Sequence, residues 1–251
     1  MFDNKSFLDK RILVTGAGSG IGRATAFYLD SLGAGLVLVG RDETKLEETK
    51  QRLSHRDASV LTYDLCDFAS YDALFSEVTK KGKLDGLVHC AGIAKPSPVR
   101  AISEAMLHEI MTVNFYSFMM LVKYFSKKKV SNDGASIVAC SAVNVHYPQK
   151  CMSVYEASKS AVEAAVRGMA EELYFGRKLR INAMIIGPAV TPMAGFAPDD
   201  FSAVGTQSEV TPNLMGMANP DSIAKMAAFL LDDASSYTTG RNFYVDGGRL
   251  G

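Results

Sequence analysis

Two side chains four residues apart form a pair that could move a proton. Tyr155 and Lys159 would lie on the same face of a helix. Free tyrosine has a pKa of about 10, and a nearby cation favours its phenolate form, so Lys159 is expected to lower the pKa of Tyr155 and make it a usable base. The same spacing is also typical of an ordinary amphipathic helix whose lysine faces water, so other segments must decide between the two interpretations.

A glycine-rich segment, Thr15 to Gly22, follows the apolar run 12–14 and precedes a helical pattern over 23–32. Strand, glycine turn and helix in this order bind pyrophosphate, because glycines let the backbone approach and the helix N-terminus favours negative charge. The spacing differs from the common dinucleotide fingerprint, which has glycine where Ile21 stands. The alternative is a flexible turn, but so many glycines between a strand and a helix need a reason.

Two further polar residues lie in apolar surroundings. Ser141 ends the β-like run 136–140, and its hydroxyl could bind a substrate carbonyl, although such a serine is usually a turn residue or a helix cap. Asn114 lies within the apolar segment 106–125, as either a satisfied core group or part of a polar relay. His146 could face substrate, but a histidine on a surface loop is the favoured interpretation.

Together these segments resemble the short-chain dehydrogenase/reductase family, specifically its single-domain branch, and the resemblance runs nearly end to end. The run from Thr15 to Gly22 matches the family's TGxxxGxG. Asn114 matches its helix asparagine and Ser141 its active-site serine. Tyr155 and Lys159 match its YxxxK pair.

The resemblance implies a nicotinamide cofactor and a set of residues that hold it. Asp64 looks like the acidic residue that meets the adenine, and the segment 182–193 looks like the one that borders the nicotinamide. The chain departs from the family at Cys90, where asparagine is usual, around Gly187, where Pro-Gly is usual, and in a slightly longer stretch from Ser141 to Tyr155. The implied cofactor-binding residues are Gly16, Ser19, Gly20, Ile21, Gly22, Arg41, Asp64, Leu65, Cys90, Ala91, Gly92, Tyr155, Lys159, Gly187 and Thr191.

The resemblance also implies a mechanism and an assembly. Tyr155 would be the general acid/base, protonating the alkoxide formed by hydride transfer to a carbonyl and, in reverse, taking the alcohol proton. Lys159 would bind the nicotinamide ribose and lower the tyrosine pKa, Ser141 would orient the substrate oxygen, and Asn114 would hold a relay water. The family commonly forms homo-oligomers, so a dimer or tetramer is expected.

Cofactor choice depends on the residues after the second apolar run. Gly40 stands where a carboxylate would bind the ribose 2′-hydroxyl and repel a 2′-phosphate, and Arg41 could pair with that phosphate. This pattern predicts NADP(H) in preference to NAD(H). The alternative is that Arg41 merely opens a solvated helix, since Ser19 stands where many NADP-preferring relatives carry a basic residue.

Short β-like runs alternate with helical patterns along the whole chain. Alternation of this kind predicts a single α/β domain over 1–251, a Rossmann-like doubly wound parallel sheet with helices on both faces and ligands beyond the carboxyl ends of the strands. The segment 188–219, rich in Pro, Gly, Ser and Met, is predicted to be a substrate lid, with a disordered connector as the alternative. The predicted strands are 11–15, 35–40, 59–64, 85–90, 135–141, 180–186 and 242–245.

Composition limits the partners. Lys plus Arg and Asp plus Glu each number 27, so net charge gives no argument for nucleic acid or an anionic membrane. Residues 1–10 lack the apolar core of a secretory signal, and no stretch is predicted to span a bilayer. The four histidines lack metal-ligand spacing, so no metal site is predicted. Cys66, Cys90, Cys140 and Cys151 have no paired spacing, which favours free thiols in a reducing compartment and hence a cytoplasmic location.

The substrate remains a small carbonyl or alcohol of unassigned identity. A specific alternative is a 3-oxoacyl-carrier-protein reductase, which needs a basic patch for its carrier, and Lys95 with Arg100 is the visible one. An alternative of another class is a binding protein that senses nicotinamide without turnover. Against the sensing interpretation, the chain keeps all four residues of the family's catalytic set, which are Asn114, Ser141, Tyr155 and Lys159. Sugar-nucleotide epimerase chemistry is disfavoured, because the chain lacks room for a larger substrate domain.

Overall fold

A computed structural model of the chain describes residues 6–55, 57–209 and 212–249, in which strands and helices alternate. The strands are β1 (Arg11–Thr15), β2 (Gly35–Gly40), β3 (Ala58–Thr62), β4 (Leu84–His89), β5 (Ser131–Ala142), β6 (Arg180–Ile186) and β7 (Asn242–Val245). The helices are α1 (Gly20–Ser31), α2 (Glu43–Gln51), α3 (Tyr71–Val78), α4 (Glu104–Met111), α5 (Ser117–Phe125), α6 (Ser153–Arg177) and α7 (Pro220–Leu231).

The seven strands form one parallel sheet in the order β3-β2-β1-β4-β5-β6-β7. The chain order reverses between β1 and β4, which is the point where such sheets bind ligands beyond the strand ends. The predicted fold is therefore confirmed. β5 begins earlier than predicted, because Ser131 already pairs with Leu84 before a shift in register, and β3 ends at Thr62 so that Asp64 follows it by two residues.

Each face of the sheet is covered by its own helices, since alternate side chains of a strand point to opposite faces. On one face, Leu13 and Ile137 pack in a buried cluster with Phe118 of α5. On the other face, Val138 packs in a second cluster with Leu29 of α1 and neighbouring residues of α7. Because helices cover both faces of the sheet and its central strands are buried, the strand ends are left as the place for chemistry.

The sequence expectation about membrane-spanning stretches was wrong in one respect. Within the described ranges, the continuous helical stretch Glu104–Phe125 is long and apolar enough to cross a bilayer by length and composition. In the fold its apolar residues Leu121 and Phe125 are fully buried against the sheet. Core packing thus accounts for part of its apolar composition, while Leu107 and Tyr116 of the same stretch are exposed.

The segment 188–219 has a folded base. Val190 donates its backbone N–H to the Ala218 carbonyl (3.0 Å), and Ala218 donates to the Pro188 carbonyl (2.9 Å), so the two ends of the segment pair with each other. Further along, Gly205 and Met217 are joined by a backbone hydrogen bond of 2.9 Å. Residues 210 and 211 of the predicted lid lie outside the described residues.

Candidate functional site

The glycine turn after β1 is packed too closely for side chains at two positions. Gly16 has φ +67°, and a Cβ there would lie 2.9 Å from the backbone nitrogen of Ala91. A Cβ at Gly22 would overlap the Gly16 carbonyl oxygen. Helix α1 starts at Gly20, so its first N–H groups point out of this turn. The turn therefore brings helix N–H groups and bare backbone to one edge of the sheet, as a diphosphate requires.

A first cavity of about 340 Å³ opens above this turn. It brings together seven of the predicted cofactor residues, which are Gly16, Ser19, Arg41, Asp64, Leu65, Ala91 and Gly92. Lys45 also lines it and was missed by the sequence analysis. Its position in the first turn of α2, four residues after Arg41, could have indicated that it lies near the cofactor. Lys45 pairs with Asp42 at 3.2 Å.

A second cavity of about 630 Å³ adjoins the first, and Gly92 lines both. Of the predicted residues it brings together Ile21, Cys90, Gly92, Ser141, Tyr155, Lys159, Gly187 and Thr191. Gly20, Gly22 and Asn114 line neither cavity. The predicted lid supplies one wall of the second cavity through Met193, Phe196, Thr206 and Met217. Adjoining cavities of this size and the bare backbone of the glycine turn fit a nicotinamide dinucleotide with a small substrate beside it.

Tyr155 and Lys159 lie on one face of α6 and are both almost fully buried. The Lys159 Nζ donates a hydrogen bond to the Cys140 carbonyl (2.9 Å) and lies 5.9 Å from the centroid of the Tyr155 ring. Burial raises the pKa of Tyr155, and the neighbouring Cys140 raises that pKa further. Burial lowers the pKa of Lys159. In this structure burial and Cys140 thus shift the Tyr155 pKa upward, and the lowering expected from Lys159 stays a prediction.

Ser141 lines the cavity, but its hydroxyl is engaged on the far side. It donates a hydrogen bond to Oε1 of Glu163 (2.6 Å), a carboxylate that is almost fully buried. The other oxygen of Glu163 lies 3.1 Å from Nε2 of His146 and accepts from Nδ2 of Asn242 at 2.9 Å. Three polar partners thus stabilise one buried carboxylate behind the predicted active-site serine.

Glu163 was missed by the sequence analysis, although a signal was present. It stands eight residues after Tyr155 and four after Lys159, so all three side chains lie along one stripe of α6. His146 is half-exposed in its loop, where the sequence placed it, and it contacts Glu163 rather than the cavity. The stripe of α6 that carries Tyr155 and Lys159 therefore also carries the buried carboxylate that His146 contacts.

Asn114 lies in a π-helical turn between α4 and α5 and is fully buried. Its Oδ1 accepts from the backbone N–H of Ile93 (2.8 Å), and its Nδ2 donates to the Ile93 carbonyl and to Oγ of Ser158 (both 2.9 Å). These contacts fit the satisfied core group among the two alternatives, and they fix the strand-to-loop turn beside Gly92. Its part in a proton relay stays a prediction.

Comparison with known proteins agrees with this geometry. A family model described as enoyl-(acyl carrier protein) reductase matches residues 16–249. A glucose 1-dehydrogenase of Gluconobacter oxydans is 34% identical over 96% of this chain and 92% of its own length. A galactitol 2-dehydrogenase (L-tagatose-forming) of Cereibacter sphaeroides is 33% identical over 94% of this chain and 92% of its own length.

Solved structures show the same relationship. A short-chain type dehydrogenase/reductase from Mycobacterium ulcerans superposes with a TM-score of 0.84 at 28% identity, covering 97% of this chain and 93% of that one. A dehydrogenase/reductase from Sinorhizobium meliloti 1021 superposes with a TM-score of 0.86 at 25% identity, covering 98% and 96%. The chain belongs to the short-chain dehydrogenase/reductase family and is an NAD(P)-dependent oxidoreductase.

Proposed function

We propose that this protein interconverts a small carbonyl compound and its alcohol with NADP(H), and that Tyr155 is the general acid/base. One observation carries the proposal. Tyr155 and Lys159 line a substrate-sized cavity that meets the cavity above the glycine turn at Gly92. A proton donor thus faces the space where a hydride acceptor would lie.

The nicotinamide, when bound, supplies or accepts the hydride. Because its pKa is raised, Tyr155 holds its proton near neutral pH and can donate it to the oxygen of a carbonyl during reduction. Lys159, held by the Cys140 carbonyl, places a positive charge beside the phenol. That charge stabilises the phenolate left after proton donation. Lid residues such as Met193 and Phe196 exclude water from this end of the cavity.

The preference for NADP(H) is supported by three residues in the first cavity. Gly40 presents no carboxylate, and Arg41 and Lys45 both line the cavity. Asp42 is the neighbouring acid, and its side chain is already engaged, since it accepts the backbone N–H of Lys45 at 3.1 Å as the N-cap of α2. The planar guanidinium of Arg41 and the absence of a carboxylate at Gly40 favour a 2′-phosphate, and Lys45 adds a cation that it shares with Asp42.

A carrier-protein substrate is less well supported. The basic patch that it needs depends on Lys95 and Arg100, and the Lys95 ammonium contacts both carboxylate oxygens of Glu109 at 2.6 Å. That pairing removes half of the patch's charge. The cavity instead combines polar side chains such as Asn144 and Gln149 with apolar lid residues. A small polar carbonyl or alcohol suits such a lining, and relatives are named for glucose and galactitol.

The test is oxidation of NADPH, with NADH alongside, against a panel of ketones, aldehydes, sugars and 3-oxoacyl thioesters. We expect turnover on one class of small carbonyl, with NADPH favoured and one alcohol formed for each NADPH consumed. Turnover confined to acyl thioesters would favour the carrier-protein alternative. Tight binding of NADPH without turnover on any member would favour the sensing alternative.

Assembly and location are also proposals. The apolar side chains of Leu107, Tyr116 and Phe175 are exposed on α4, the π-helical turn and α6, which supports a dimer or tetramer through these helices. Light scattering after size-exclusion chromatography is expected to show at least a dimer, and a monomer would remove this proposal. The four free thiols support a reducing, cytoplasmic location, which localisation of a tagged chain would test.

A further inference from the structure

A pair of thiols lies at the junction of the two cavities. Cys90 directly follows β4, and Cys140 is in β5. The register of the parallel pair places His89 beside Ala139, so the next residue of each strand is Cys90 and Cys140. Their sulfur atoms are 3.5 Å apart, and both thiols are free. No step of the proposed carbonyl chemistry uses either sulfur.

From this arrangement we propose that Cys90 and Cys140 form a dithiol modification site, which peroxides convert reversibly into a disulfide at the catalytic end of the cofactor site. Adjacent strands lie about 4.8 Å apart, and the Cα separations of disulfides begin at about 4.4 Å, so the two backbones are already within range. The sulfurs need to move from 3.5 Å to a bond length of about 2.05 Å.

The surroundings make the two thiols unequal. The two sulfur atoms lie within hydrogen-bond distance of each other, at 3.5 Å. The contact with Cys90 and the positive charge of Lys159 lower the pKa of Cys140, whereas the contact with Cys140 and burial raise the pKa of Cys90. The thiolate is the reactive form, so Cys140 is the nucleophile. Cys90 is then the thiol that resolves the intermediate.

Cys90 and Cys140 both line the 630 Å³ cavity with Tyr155, which gives a small oxidant a route to the pair, although Cys140 is largely buried. The Cys140 thiolate attacks one oxygen of hydrogen peroxide, the O–O bond breaks, and the hydroxide that leaves takes a proton to become water. Cys90 sulfur then attacks the sulfenic acid sulfur, the S–S bond forms, the S–O bond breaks, and the thiol proton of Cys90 leaves with the second hydroxide as water. Two thiols lose two electrons in total, and the peroxide becomes two waters.

The disulfide would act on the proposed catalytic pair through backbone. The carbonyl of Cys140 accepts the hydrogen bond of Lys159 Nζ. Ala91, which follows Cys90, packs so closely against Gly16 that a Cβ at Gly16 would lie 2.9 Å from the Ala91 backbone nitrogen. A disulfide of fixed geometry constrains both of these backbone segments. The oxidised protein is therefore expected to lose most of its turnover and to bind cofactor more weakly, a consequence that rests on the proposed function.

The test treats the full chain with hydrogen peroxide and follows intact mass and peptides. We expect a species lighter by two hydrogen atoms, with a disulfide-linked peptide joining Cys90 and Cys140, restored by dithiothreitol and slowed by prior addition of NADPH. Cys90→Ser and Cys140→Ser should each abolish this species. The variant carrying both Cys66→Ser and Cys151→Ser should form it as the wild type does.

The matched control is informative because burial raises the pKa of Cys66 to about 11, so that thiol should react slowly. Phenylarsine oxide, which bridges two neighbouring thiols, should add once to the wild-type chain, a readout that needs no variant. The proposal is overturned if peroxide oxidises Cys66 or Cys151 first, or if no linked peptide forms. The mass measurements do not depend on turnover. If the protein turned over no carbonyl substrate, the disulfide could still be detected, so the two proposals can fail separately.

Discussion

The two adjoining cavities are built in different ways. The first is shaped by backbone, since it lies over the glycine turn between β1 and α1 and its walls are the ends of neighbouring strands. The second is shaped by side chains, which come from β5, from one stripe of α6 and from the segment 188–219. The glycine turn at the base of the first cavity depends on residues close together in sequence, whereas the second cavity depends on contacts between side chains of distant elements. Substitutions should therefore disrupt the first cavity through steric overlap with backbone and the second cavity through the loss of side-chain hydrogen bonds.

The largest effect is expected at Gly22. In Gly22→Ala the new Cβ overlaps the Gly16 carbonyl oxygen, so the turn must open. We expect loss of stability of about 1–3 kcal/mol, the typical cost of overpacking, and loss of measurable cofactor binding. Thermal unfolding and fluorescence titration with NADPH would measure both.

The matched control is Gly168→Ala, at an exposed position of α6 where a Cβ meets nothing within 4 Å. This change is expected to raise stability by about 0.5–1 kcal/mol, because alanine suits a helix better than glycine. If the two variants had the same stability and the same NADPH affinity, the glycine turn would have room for a side chain. The proposed contrast between the two cavities would then be wrong.

The next largest effect is expected at Glu163. Glu163→Gln leaves an amide where three polar groups meet a carboxylate, so one partner loses its acceptor. Leaving a buried group unsatisfied costs about 1–3 kcal/mol, and we expect the melting temperature to fall together with turnover. Because the effect on turnover acts through Ser141, it should be small in a Ser141→Ala background.

Glu171→Gln, on the exposed side of the same helix, is the control and should match the wild type in both measurements. If Glu163→Gln lowers turnover by the same factor with and without Ser141, the carboxylate acts on the fold alone.

A smaller effect is expected in the choice of cofactor. Charge-assisted hydrogen bonds contribute about 1.5–3 kcal/mol, so Arg41→Ala should weaken NADPH binding by roughly tenfold or more and leave NADH binding nearly unchanged. Lys45→Ala should act in the same direction but less, because Lys45 is shared with Asp42. An unchanged ratio of NADPH to NADH affinity in Arg41→Ala would remove the NADP assignment.

The smallest effect is expected where the predicted lid, residues 188–219, contacts α1 and the end of α2. Asp199 contacts Nη1 of Arg52 at 2.7 Å and Nη1 of Arg23 at 3.9 Å, and so ties the segment 188–219 to α1 and the end of α2. Asp199 is half-exposed, and exposed pairs contribute about 0.2–1 kcal/mol, so Asp199→Asn should speed proteolysis within the lid by only a few-fold. The control is Asp200→Asn, because the Asp200 carboxylate only accepts the backbone N–H of Ser202, two residues away in the same segment. Equal cleavage rates for wild type and Asp199→Asn would mean that this contact does not hold the lid.

The same contrast explains what the sequence could predict. The order of strands and helices, the glycine turn and the residues Arg41, Asp64 and Gly92 follow local patterns, and the structure brings these residues to one edge of the sheet. The position of Glu163 four residues after Lys159 was visible in the sequence, but its partners Ser141 and Asn242 could not be predicted, because they are 22 and 79 residues away. The raised pKa of Tyr155 was missed for the same reason, since burial depends on the whole fold. The spacing of residues in the sequence predicts local geometry, whereas burial and pKa shifts depend on how distant elements pack together.

The most direct test of the central claim is the turnover of Tyr155→Phe, measured with its affinity for NADPH. Removing a general acid typically costs about 10²–10⁴ in rate. We predict a loss in that range, with NADPH affinity within about twofold of the wild type, since phenylalanine keeps the ring packed. In the wild type, carbonyl reduction should stay constant through neutral pH and fall only in the alkaline range, because the raised pKa keeps the donating form present. Alcohol oxidation should rise with pH. Near wild-type turnover in Tyr155→Phe would contradict the account.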